Sequence, residues 1–398
     1  MFDNFLTLDE VDVNGKRVFV RVDYNVPVDE HGAIVDDTRI RETIPTINYL
    51  IDRDAKIILA SHMGRPKGER KPEYSLYPVA KRLERLLGFP VKFAPDCVGE
   101  DVENMVSSLK EGEVLLLENL RFHKEEEQND PEFAKKLASL ADIYVIDAFG
   151  TCHRKHASMY GIKDYIQPVV MGFLLERELK FFEKALLNPQ RPVVAFIGGS
   201  KVSSKLGVLK HLIDRVDKIF IGGAMAFTFI KALGYPVGSS LVEDEMIDEA
   251  LDIIEQSKRL GVKIYLPIDF VCGQAVSEQT PVIEVPWQEI PEGWMGLDIG
   301  HVSTAFIKEI LKDAQTIVWN GPMGVFELEK FKRGTFELAH AIAESAALSI
   351  AGGGDTDYAI HKAGVADDIS YISTGGGAFL ELLEGKMLPC LEAITKKE

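Results

Sequence analysis

Cysteine is scarce in this 398-residue chain, and Cys97, Cys152, Cys272 and Cys390 lie far apart. They form no CxxC pair, so the sequence predicts neither a disulfide framework nor a zinc cluster and favours a reducing compartment. The N-terminal residues show no basic segment followed by an apolar one, and no uninterrupted apolar run reaches the roughly 18 residues that span a bilayer. We therefore expect a cytoplasmic protein without a secretory signal.

Basic residues are outnumbered, because 45 Lys and Arg stand against 62 Asp and Glu, a formal net charge of −17. A general nucleic-acid or acidic-membrane binder needs the opposite balance, since its affinity comes from neutralising phosphates. The overall negative charge does not exclude a local basic pocket that binds a small anion. The chain also lacks a GxxxxGK[ST] loop and a GxGxxG turn with an acidic residue about 20 positions on, which disfavours a Walker-A enzyme and a dinucleotide dehydrogenase.

Short apolar runs rich in β-branched residues alternate with amphipathic stretches along the chain. The runs that predict strands are Arg17–Val22, Lys56–Ala60, Val114–Leu117 and Ile143–Ile146 in the first half, and Val193–Ile197, Lys218–Ile221, Lys263–Leu266, Thr316–Trp319, Ala347–Ala351 and Ile369–Ile372 in the second. The stretches that predict helices include Leu76–Leu87, Pro131–Leu140, Met246–Leu260 and Thr335–Ser345. This alternation predicts an α/β fold with parallel sheets, and the length predicts two or three domains. A charged helical stretch within Phe173–Pro192 predicts the boundary between two domains.

The predicted strands end differently in the two halves of the chain. In the first half they are followed by polar and charged residues, and in the second half by glycine. Ligands of open α/β sheets bind at the carboxyl ends of the strands. The sequence therefore predicts two binding sites, one on each sheet.

The glycine-rich turns of the second half favour a nucleotide polyphosphate site. A single such turn is as compatible with a tight bend, but five on one sheet, one of them followed by Lys201 and Lys205, favour phosphate binding. Asp355 follows three glycines and is the natural Mg²⁺ ligand, since that ion prefers oxygen ligands and phosphates complete its coordination. An aspartate at this position is also typical of a helix N-cap, and the two roles are compatible.

Polar side chains at the strand ends of the first half favour an anion site. A single arginine there is usually a solvated surface charge, but several that converge would bind carboxylate and phosphate through their guanidinium forks. The basic candidates are Arg21, Arg39, His62, Arg65, Arg121 and Arg154, and Asp23 and Asn25 beside them could hold a substrate hydroxyl. A metal site at Cys152, His153 and His156 is disfavoured because no fourth ligand lies nearby.

Several motifs resemble the phosphoglycerate kinase family, in the order and spacing of that family over nearly the whole chain. They are Arg21-Val22-Asp23-Tyr24-Asn25-Val26-Pro27, Ser61-His62-Met63-Gly64-Arg65-Pro66, Leu117-Glu118-Asn119-Leu120-Arg121-Phe122, Asp147-Ala148-Phe149-Gly150, Gly198-Gly199-Ser200-Lys201-Val202, Trp319-Asn320-Gly321-Pro322, Gly352-Gly353-Gly354-Asp355-Thr356 and Ser373-Thr374-Gly375-Gly376-Gly377. The resemblance implies two Rossmann-like three-layer domains whose parallel sheets face each other across a cleft, joined by a hinge helix. Residues 1–173 would bind 3-phosphoglycerate, with residues 388–398 packing back on that domain; residues 174–192 would form the hinge helix and linker; residues 193–387 would bind the nucleotide.

The resemblance also implies an activity and a set of site residues. The activity is reversible phosphoryl transfer between 1,3-bisphosphoglycerate and MgADP, giving 3-phosphoglycerate and MgATP, after hinge-bending closure of a cytoplasmic monomer. The implied substrate-binding residues are Arg21, Asp23, Asn25, Arg39, His62, Arg65, Arg121 and Arg154. The implied nucleotide-binding residues are Lys201, Lys205, Gly296, Asn320, Glu327, Gly353, Gly354, Asp355 and Thr356, with Asp355 holding Mg²⁺. Arg39, Lys201 and the amides of Gly376 and Gly377 would stabilise the phosphoryl group during transfer.

Two positions depart from the family pattern, namely Ile146, where Asn is common, and Phe379, where a small residue is usual. Both positions bear on local packing near the sites and not on the reaction.

The residue content suits acyl phosphate chemistry, since a carboxylate nucleophile is already ionised at neutral pH and needs no general base. A nicotinamide dehydrogenase, a related kinase acting on another small acid and a nucleotide-binding scaffold without turnover remain as rival interpretations.

Overall fold

The computed structural model describes Phe2 and residues 4–397, which divide into two compact units. Unit 1 contains the residues up to Lys180 and those from Met387 onward, and unit 2 is Phe181–Lys386. Each unit is built on a six-stranded parallel sheet. The prediction of two α/β domains with parallel sheets is confirmed.

The sheet of unit 1 has the strand order β3-β4-β2-β1-β5-β6. Its strands are β1 (Arg17–Val22), β2 (Lys56–Ala60), β3 (Val91–Phe93), β4 (Val114–Leu116), β5 (Ile143–Asp147) and β6 (Val169–Met171). Its helices are α1 (Thr38–Arg41), α2 (Ile44–Ile51), α3 (Tyr77–Leu87), α4 (Glu100–Ser107), α5 (Lys124–Glu127), α6 (Pro131–Ala138) and α7 (Phe173–Phe182), which continues into unit 2. In β1, Val18 pairs with Ile57 of β2 and Ile143 of β5. β1 is thus a central strand with a neighbour at each edge, and its residues 18–22 are all buried, including Arg21, which interrupts the apolar run.

The parallel sheet of unit 2 has the strand order β15-β14-β13-β7-β8-β9, and a three-stranded antiparallel sheet has the order β11-β10-β12. The strands are β7 (Val193–Ile197), β8 (Lys218–Ile221), β9 (Lys263–Tyr265), β10 (Asp269–Gly273), β11 (Val282–Pro286), β12 (Met295–Ile299), β13 (Thr316–Asn320), β14 (Leu348–Gly352) and β15 (Tyr371–Ser373). The helices are α8 (Leu206–Leu212), α9 (Met225–Ala232), α10 (Ile247–Leu260), α11 (His301–Leu311), α12 (Arg333–Ala343), α13 (Gly354–Ala363) and α14 (Gly377–Leu383), with a π-helical turn at Glu183–Leu187. A last helix, α15 (Pro389–Ala393), belongs to unit 1.

In both parallel sheets the strand order changes direction beside a central strand. The first strand of unit 1, β1, lies between β2 and β5, and the first strand of unit 2, β7, lies between β8 and β13. The loops after these strands diverge to opposite faces, which opens a crevice at their carboxyl ends. The fold thus positions both groups of predicted site residues at a place suited to ligands.

The C-terminal segment is held in unit 1 by hydrogen bonds and by a disulfide. The Thr395 amide donates to the carbonyl of Val169, the first residue of the edge strand β6. Cys390 of α15 forms a disulfide with Cys152, 238 residues earlier in the chain. The sequence spacing suggested no disulfide framework, and it did not reveal this one bridge, because spacing along the chain says nothing of residues that only the fold brings together. Cys97 and Cys272 are free and buried.

None of the described helices is long and apolar enough to cross a membrane.

Candidate active site

The site of unit 1 is assembled where β1, β2 and β5 end side by side. Asp23 follows β1, His62 follows β2, and both side chains are almost fully buried. Asp23 Oδ1 lies 3.9 Å from His62 Nδ1. The parallel register of the strands brings these two residues together although 38 residues separate them in the chain.

Asp23 and Asn25 organise the loop that follows β1. Asp23 accepts a hydrogen bond from Arg39 Nη1 at 3.0 Å, and the same nitrogen donates to the carbonyl oxygen of Asn25 at 3.2 Å. Asn25 Oδ1 accepts from the Gly64 amide at 2.8 Å, which ties the loop after β1 to the loop after β2. The side chain of Arg39 is about one-third exposed (37%), so it can hold the aspartate and still face an anionic ligand.

Arg21 lies beneath this surface and has no exposed area. Its Nε donates to Ser158 Oγ at 2.8 Å, and its Nη1 donates to the carbonyl oxygen of Val22. Its Nη2 lies 3.3 Å from His62 Nδ1. In this structure Arg21 therefore supports the residues of the site from below instead of presenting its guanidinium to a ligand.

Arg121 and Arg154 extend the positive region. Arg121 is 4% exposed and donates from Nη1 to the Gly64 carbonyl at 2.8 Å, while Arg154 is half-buried. Burial lowers the pKa of Arg121 to about 10, and Arg21 and Arg154 lie close enough to add to that shift. Arg65 is exposed on the loop after β2 and makes no hydrogen bond with the described residues.

Two buried histidines beside these arginines, His62 and His156, favour the neutral form. Burial, with the cations of Arg21, Arg121 and Arg39, lowers the pKa of His62 well below its usual range. Burial and nearby arginines also lower the pKa of His156 to about 3. A buried cluster of arginines of this kind is costly unless negative charge compensates it. Its chemistry suits a small ligand that carries both carboxylate and phosphate.

The second site is a cavity of about 370 Å³ in unit 2. Apolar walls come from Phe227, Leu241 and Val276, and the floor includes Gly296 and the buried carboxyl of Asp298. A Cβ on Gly296 would overlap the ring of Phe227, so glycine keeps this wall flat. A flat apolar slot is typical of sites that hold the planar base of a nucleotide.

Polar groups also line the cavity. Gly199, Glu327 and Asp355 line it, and the side chains of Glu327 and Asp355 are exposed. Asp298 accepts hydrogen bonds from the amides of Ile299 and Gly334, and burial raises its pKa to about 8. The lining of the cavity thus combines apolar side chains with exposed carboxylates, a mixture that suits a nucleotide.

The glycines of unit 2 fall into two groups that the sequence does not distinguish. A Cβ on Gly198 would overlap the carbonyl oxygen of Pro322, so this glycine is needed for packing. Gly354 and Gly376, in contrast, have open space where a Cβ would lie. Gly353 has φ = 106°, a conformation that favours glycine, and it directly precedes α13. The open glycines are therefore the ones whose backbone a phosphate could approach.

Three of the predicted nucleotide-site side chains make hydrogen bonds within unit 2, and two of them, Lys205 and Asn320, bond to each other. Lys205 is half-buried and donates from Nζ to Asn320 Oδ1, while Asn320 Nδ2 donates to the Gly352 carbonyl at 2.6 Å. Thr356 accepts a hydrogen bond from the Gly321 amide at 2.8 Å and is 1% exposed. Asn320 and Thr356 therefore hold the turns together, and burial lowers the pKa of Lys205.

Asp355 has the properties of a magnesium ligand. Its side chain is exposed, lies in the first turn of α13 and accepts no hydrogen bond from the described residues. Lys205 is close enough to interact with it electrostatically. A free carboxylate beside open backbone suits Mg²⁺, which takes one or two protein oxygens and fills its other positions with phosphate and water.

Lys201, Gly376 and Gly377 lie on exposed or half-buried turns of unit 2. Lys201 is exposed, and its ammonium interacts electrostatically with Glu243. Gly376 precedes α14, and Gly377 is its first residue. These groups are accessible to a ligand of unit 2.

The two departures from the family pattern are both packing positions. Ile146 is fully buried in β5. Phe379 is buried in α14, and its ring fills the space that a Cβ on Gly352 would need.

The buried residues that lie beside Arg21, His62 and Arg121 were not identified from the sequence. His156 and Glu126 face the same arginines, and Ser158 joins Glu126 to Arg21. From the sequence, His156 was considered only as a candidate metal ligand. A buried glutamate within the run Glu125-Glu126-Glu127 carries no signal that separates it from its exposed neighbour Glu127.

Comparison with known proteins gives one consistent family. The phosphoglycerate kinase family profile matches residues 8–386. A phosphoglycerate kinase of Aquifex aeolicus (strain VF5) is 67% identical over 392 residues, covering 98% of each chain, and one of Hydrogenobaculum sp. (strain Y04AAS1) is 63% identical over 394 residues, covering 99% of this chain and 100% of that protein. The solved phosphoglycerate kinase structures from Coxiella burnetii and Pyrococcus horikoshii OT3 match with TM-scores of 0.89 and 0.83 at 41% and 33% identity, and each match covers 98% of both chains.

Proposed function

This chain belongs to the phosphoglycerate kinase family, and on that premise we propose which of its residues perform the reaction. The protein is a phosphotransferase of glycolysis that moves a phosphoryl group reversibly between 1,3-bisphosphoglycerate and ADP, giving 3-phosphoglycerate and ATP. The family resemblance of the sequence motifs is thereby confirmed. The assignment of individual site residues, the metal, the closure and the assembly state are proposals.

The acceptor, 3-phosphoglycerate, binds to the cationic cluster of unit 1. The observation that carries this proposal is the convergence of Arg39, His62, Arg121 and Arg154 with Asp23 at neighbouring strand ends. Arg65, exposed on the loop after β2, completes the set. Arginine forks hold the phosphate and carboxylate, and Asp23 with Asn25 accepts the hydroxyl of the glycerate. Arg21 contributes from beneath, through His62.

The nucleotide binds in the cavity of unit 2. Its base lies against Gly296, and Glu327 accepts from its ribose. Its phosphates approach Lys201, Lys205 and the backbone at Gly353 and Gly354, with Asn320 and Thr356 holding these turns in place. Asp355 would hold Mg²⁺, which supplies positive charge against the phosphate oxygens.

The chemistry requires charge stabilisation and alignment but no proton abstraction. In the direction of ATP consumption, the ionised carboxylate of 3-phosphoglycerate attacks the γ-phosphate. Phosphoryl transfer proceeds through a loose transition state whose charge lies on the equatorial oxygens. Arg39 and Lys201, with the amides of Gly376 and Gly377, donate to those oxygens. Such preorganised donors are worth most where water is excluded.

Donor and acceptor bind to different units, so the transfer needs a closing motion. We assign the hinge to residues 174–192 and to the segment after Gly377. Closure also protects the acyl phosphate from hydrolysis. Small-angle scattering should show a smaller radius of gyration with both substrates bound than with either alone. The same radius in all three states would refute the closure.

The assigned sites are tested by the Mg²⁺-dependent formation of ADP from ATP and 3-phosphoglycerate, coupled to NADH oxidation. Arg39→Ala should lower kcat/KM at least about a hundredfold, since it removes a charge-assisted contact to the transferring group. Arg41→Ala is the matched control, because Arg41 lies on the same short helix and pairs with Asp37 at the surface. Equal activity of the two variants would contradict the assigned site. A monomeric mass in light scattering and fractionation with the cytoplasm are the further expectations.

A further inference from the structure

A chain of buried hydrogen bonds leads from the cationic cluster of unit 1 to Glu126. The reaction as proposed above gives Glu126 no role. Glu126 lies on α5 and has no exposed area. Its Oε1 accepts the Ser158 hydroxyl at 2.5 Å, and its Oε2 accepts the Ser158 amide at 3.0 Å. Both carboxylate oxygens act as acceptors, as suits the ionised form.

The chain continues from Ser158 to the substrate site. Ser158 Oγ accepts from Arg21 Nε at 2.8 Å, and Arg21 Nη2 lies 3.3 Å from His62 Nδ1. A guanidinium can only donate, so His62 Nδ1 must be the acceptor of that bond. The proton of the neutral imidazole is then on Nε2, and the ring nitrogen available to a substrate oxygen is a donor.

Glu126 also supplies negative charge where the cluster needs it. Arg21 and Arg121 both interact with its carboxylate, and these interactions oppose the effect of burial, which raises its pKa. A buried guanidinium without a counter-charge is strongly destabilised. Glu126 therefore keeps Arg21 in one orientation, and Arg21 in turn keeps His62 in one tautomer.

We propose that Glu126 and Ser158 are positioning residues for 3-phosphoglycerate binding, which act through Arg21 on the orientation and tautomer of His62. The inference rests on the proposed role of His62 as a substrate ligand. Because burial alone would also fit residues that only stabilise the fold, the tests measure KM values and the tautomer of His62, which a change in stability alone does not alter.

The first test is Ser158→Ala, which removes the bridging hydroxyl but leaves every charge in place. We expect the KM for 3-phosphoglycerate to rise about tenfold, with the KM for ATP unchanged, because a buried hydrogen bond to a charged group is lost. Ser139→Ala is the matched control, since its hydroxyl bonds only the carbonyl of Lys136 at the surface. Equal changes in both KM values, or none, would overturn the proposal.

The second test is Glu126→Gln, for which simple electrostatics and positioning predict opposite signs. Removing a negative charge near an anion site strengthens anion binding if charge alone matters. Loss of the orientation of Arg21 and His62 weakens it, and we expect a higher KM for 3-phosphoglycerate. Glu125→Gln, one residue earlier and half-buried, is the matched control. If Glu126→Gln does not fold, Ser158→Ala decides the matter.

The third test reads the tautomer of His62 directly. Nitrogen-15 spectra of histidine-labelled protein, assigned with His62→Gln, should show a protonated Nε2 in the unsubstituted protein and a mixture of tautomers in Ser158→Ala. An unchanged tautomer would refute the positioning chain. If His62→Gln itself leaves the KM for 3-phosphoglycerate unchanged, the proposed substrate role of His62 fails instead, so the two failures are distinguishable.

Discussion

The disulfide between Cys152 and Cys390 should make unit 1 measurably more stable. It closes a loop of 238 residues that contains the whole of unit 2. If unit 1 unfolds while unit 2 stays folded, only about 30 residues of that loop become free, and the loop-entropy relation then gives about 4 kcal/mol. If both units unfold together, the same relation gives about 5.5 kcal/mol.

The expected change in the unfolding temperature follows from the size of unit 1. With about 190 residues and about 2.1 cal/mol/K of unfolding entropy per residue, a loss of 4 kcal/mol lowers Tm by about 10 °C. Cys152→Ala with Cys390→Ala should show this decrease by calorimetry, with unit 2 melting at its former temperature. Denatured protein should titrate two thiols before reduction and four after it, since Cys97 and Cys272 are free.

A matched control separates the bridge from the loss of buried sulfur. Cys97→Ala with Cys272→Ala removes two buried thiols and keeps the disulfide, so reduction should still lower its Tm by the same amount. Four free thiols in protein that has not been reduced would refute the pairing. Equal Tm values before and after complete reduction would refute the entropic reasoning. The disulfide also joins α15 to the residues just before Arg154, so the KM for 3-phosphoglycerate is worth recording in the same samples.

Three further predictions concern single residues. Lys201→Ala should lower kcat far more than it raises the nucleotide Kd, if its exposed ammonium stabilises the transferring group as proposed; equal losses in titration and turnover would mean that it binds ground-state phosphate only. Asp355→Asn should raise the Mg²⁺ concentration for half-maximal activity by at least tenfold, while the free energy of unfolding measured without ATP stays unchanged. An unaltered Mg²⁺ dependence would exclude Asp355 as the ligand. Burial raises the pKa of Asp147 to about 7. Between the pKa of the unfolded state and about 7, the folded state therefore retains a proton that the unfolded state has lost. In this range the free energy of unfolding falls as the pH rises, by at most about 1.4 kcal/mol per pH unit. Asp147→Asn should flatten that decline in urea unfolding measured from pH 4 to 8, while the same slope in both proteins would contradict the assignment.

Sequence periodicity predicted the long strands closely, since β1, β2, β7 and β8 have the bounds expected from their apolar runs. Their register in a parallel sheet buries both faces, so their composition reports their environment directly. The three-residue strands β3 and β6 were missed, although the equally short β4, β9 and β15 overlap predicted runs, so strand length alone does not separate the two groups. The antiparallel strand β11 was also missed, because its residues alternate between exposed and half-buried.

The site was predictable where a residue's function depends on its place at a strand end. Asp23 and His62 follow β1 and β2, and any parallel arrangement brings them to one edge. Arg21 is different, because it ends up wholly buried beneath that edge, and its partners Ser158 and Glu126 come from distant segments. No local pattern marks these partners, since their role depends on contacts over more than 100 residues.

The chain by itself determined the α/β class, the family and the two groups of strand-end residues, because these depend on local composition and on motifs in a fixed order. Only the tertiary structure decided which glycines are open and which are packed, that Cys152 meets Cys390, and that Glu126 rather than its neighbours is buried against Arg21. The physical reason is common to all three. Each depends on which atoms of distant segments come within a few ångströms of one another, and that information exists only once the segments have packed.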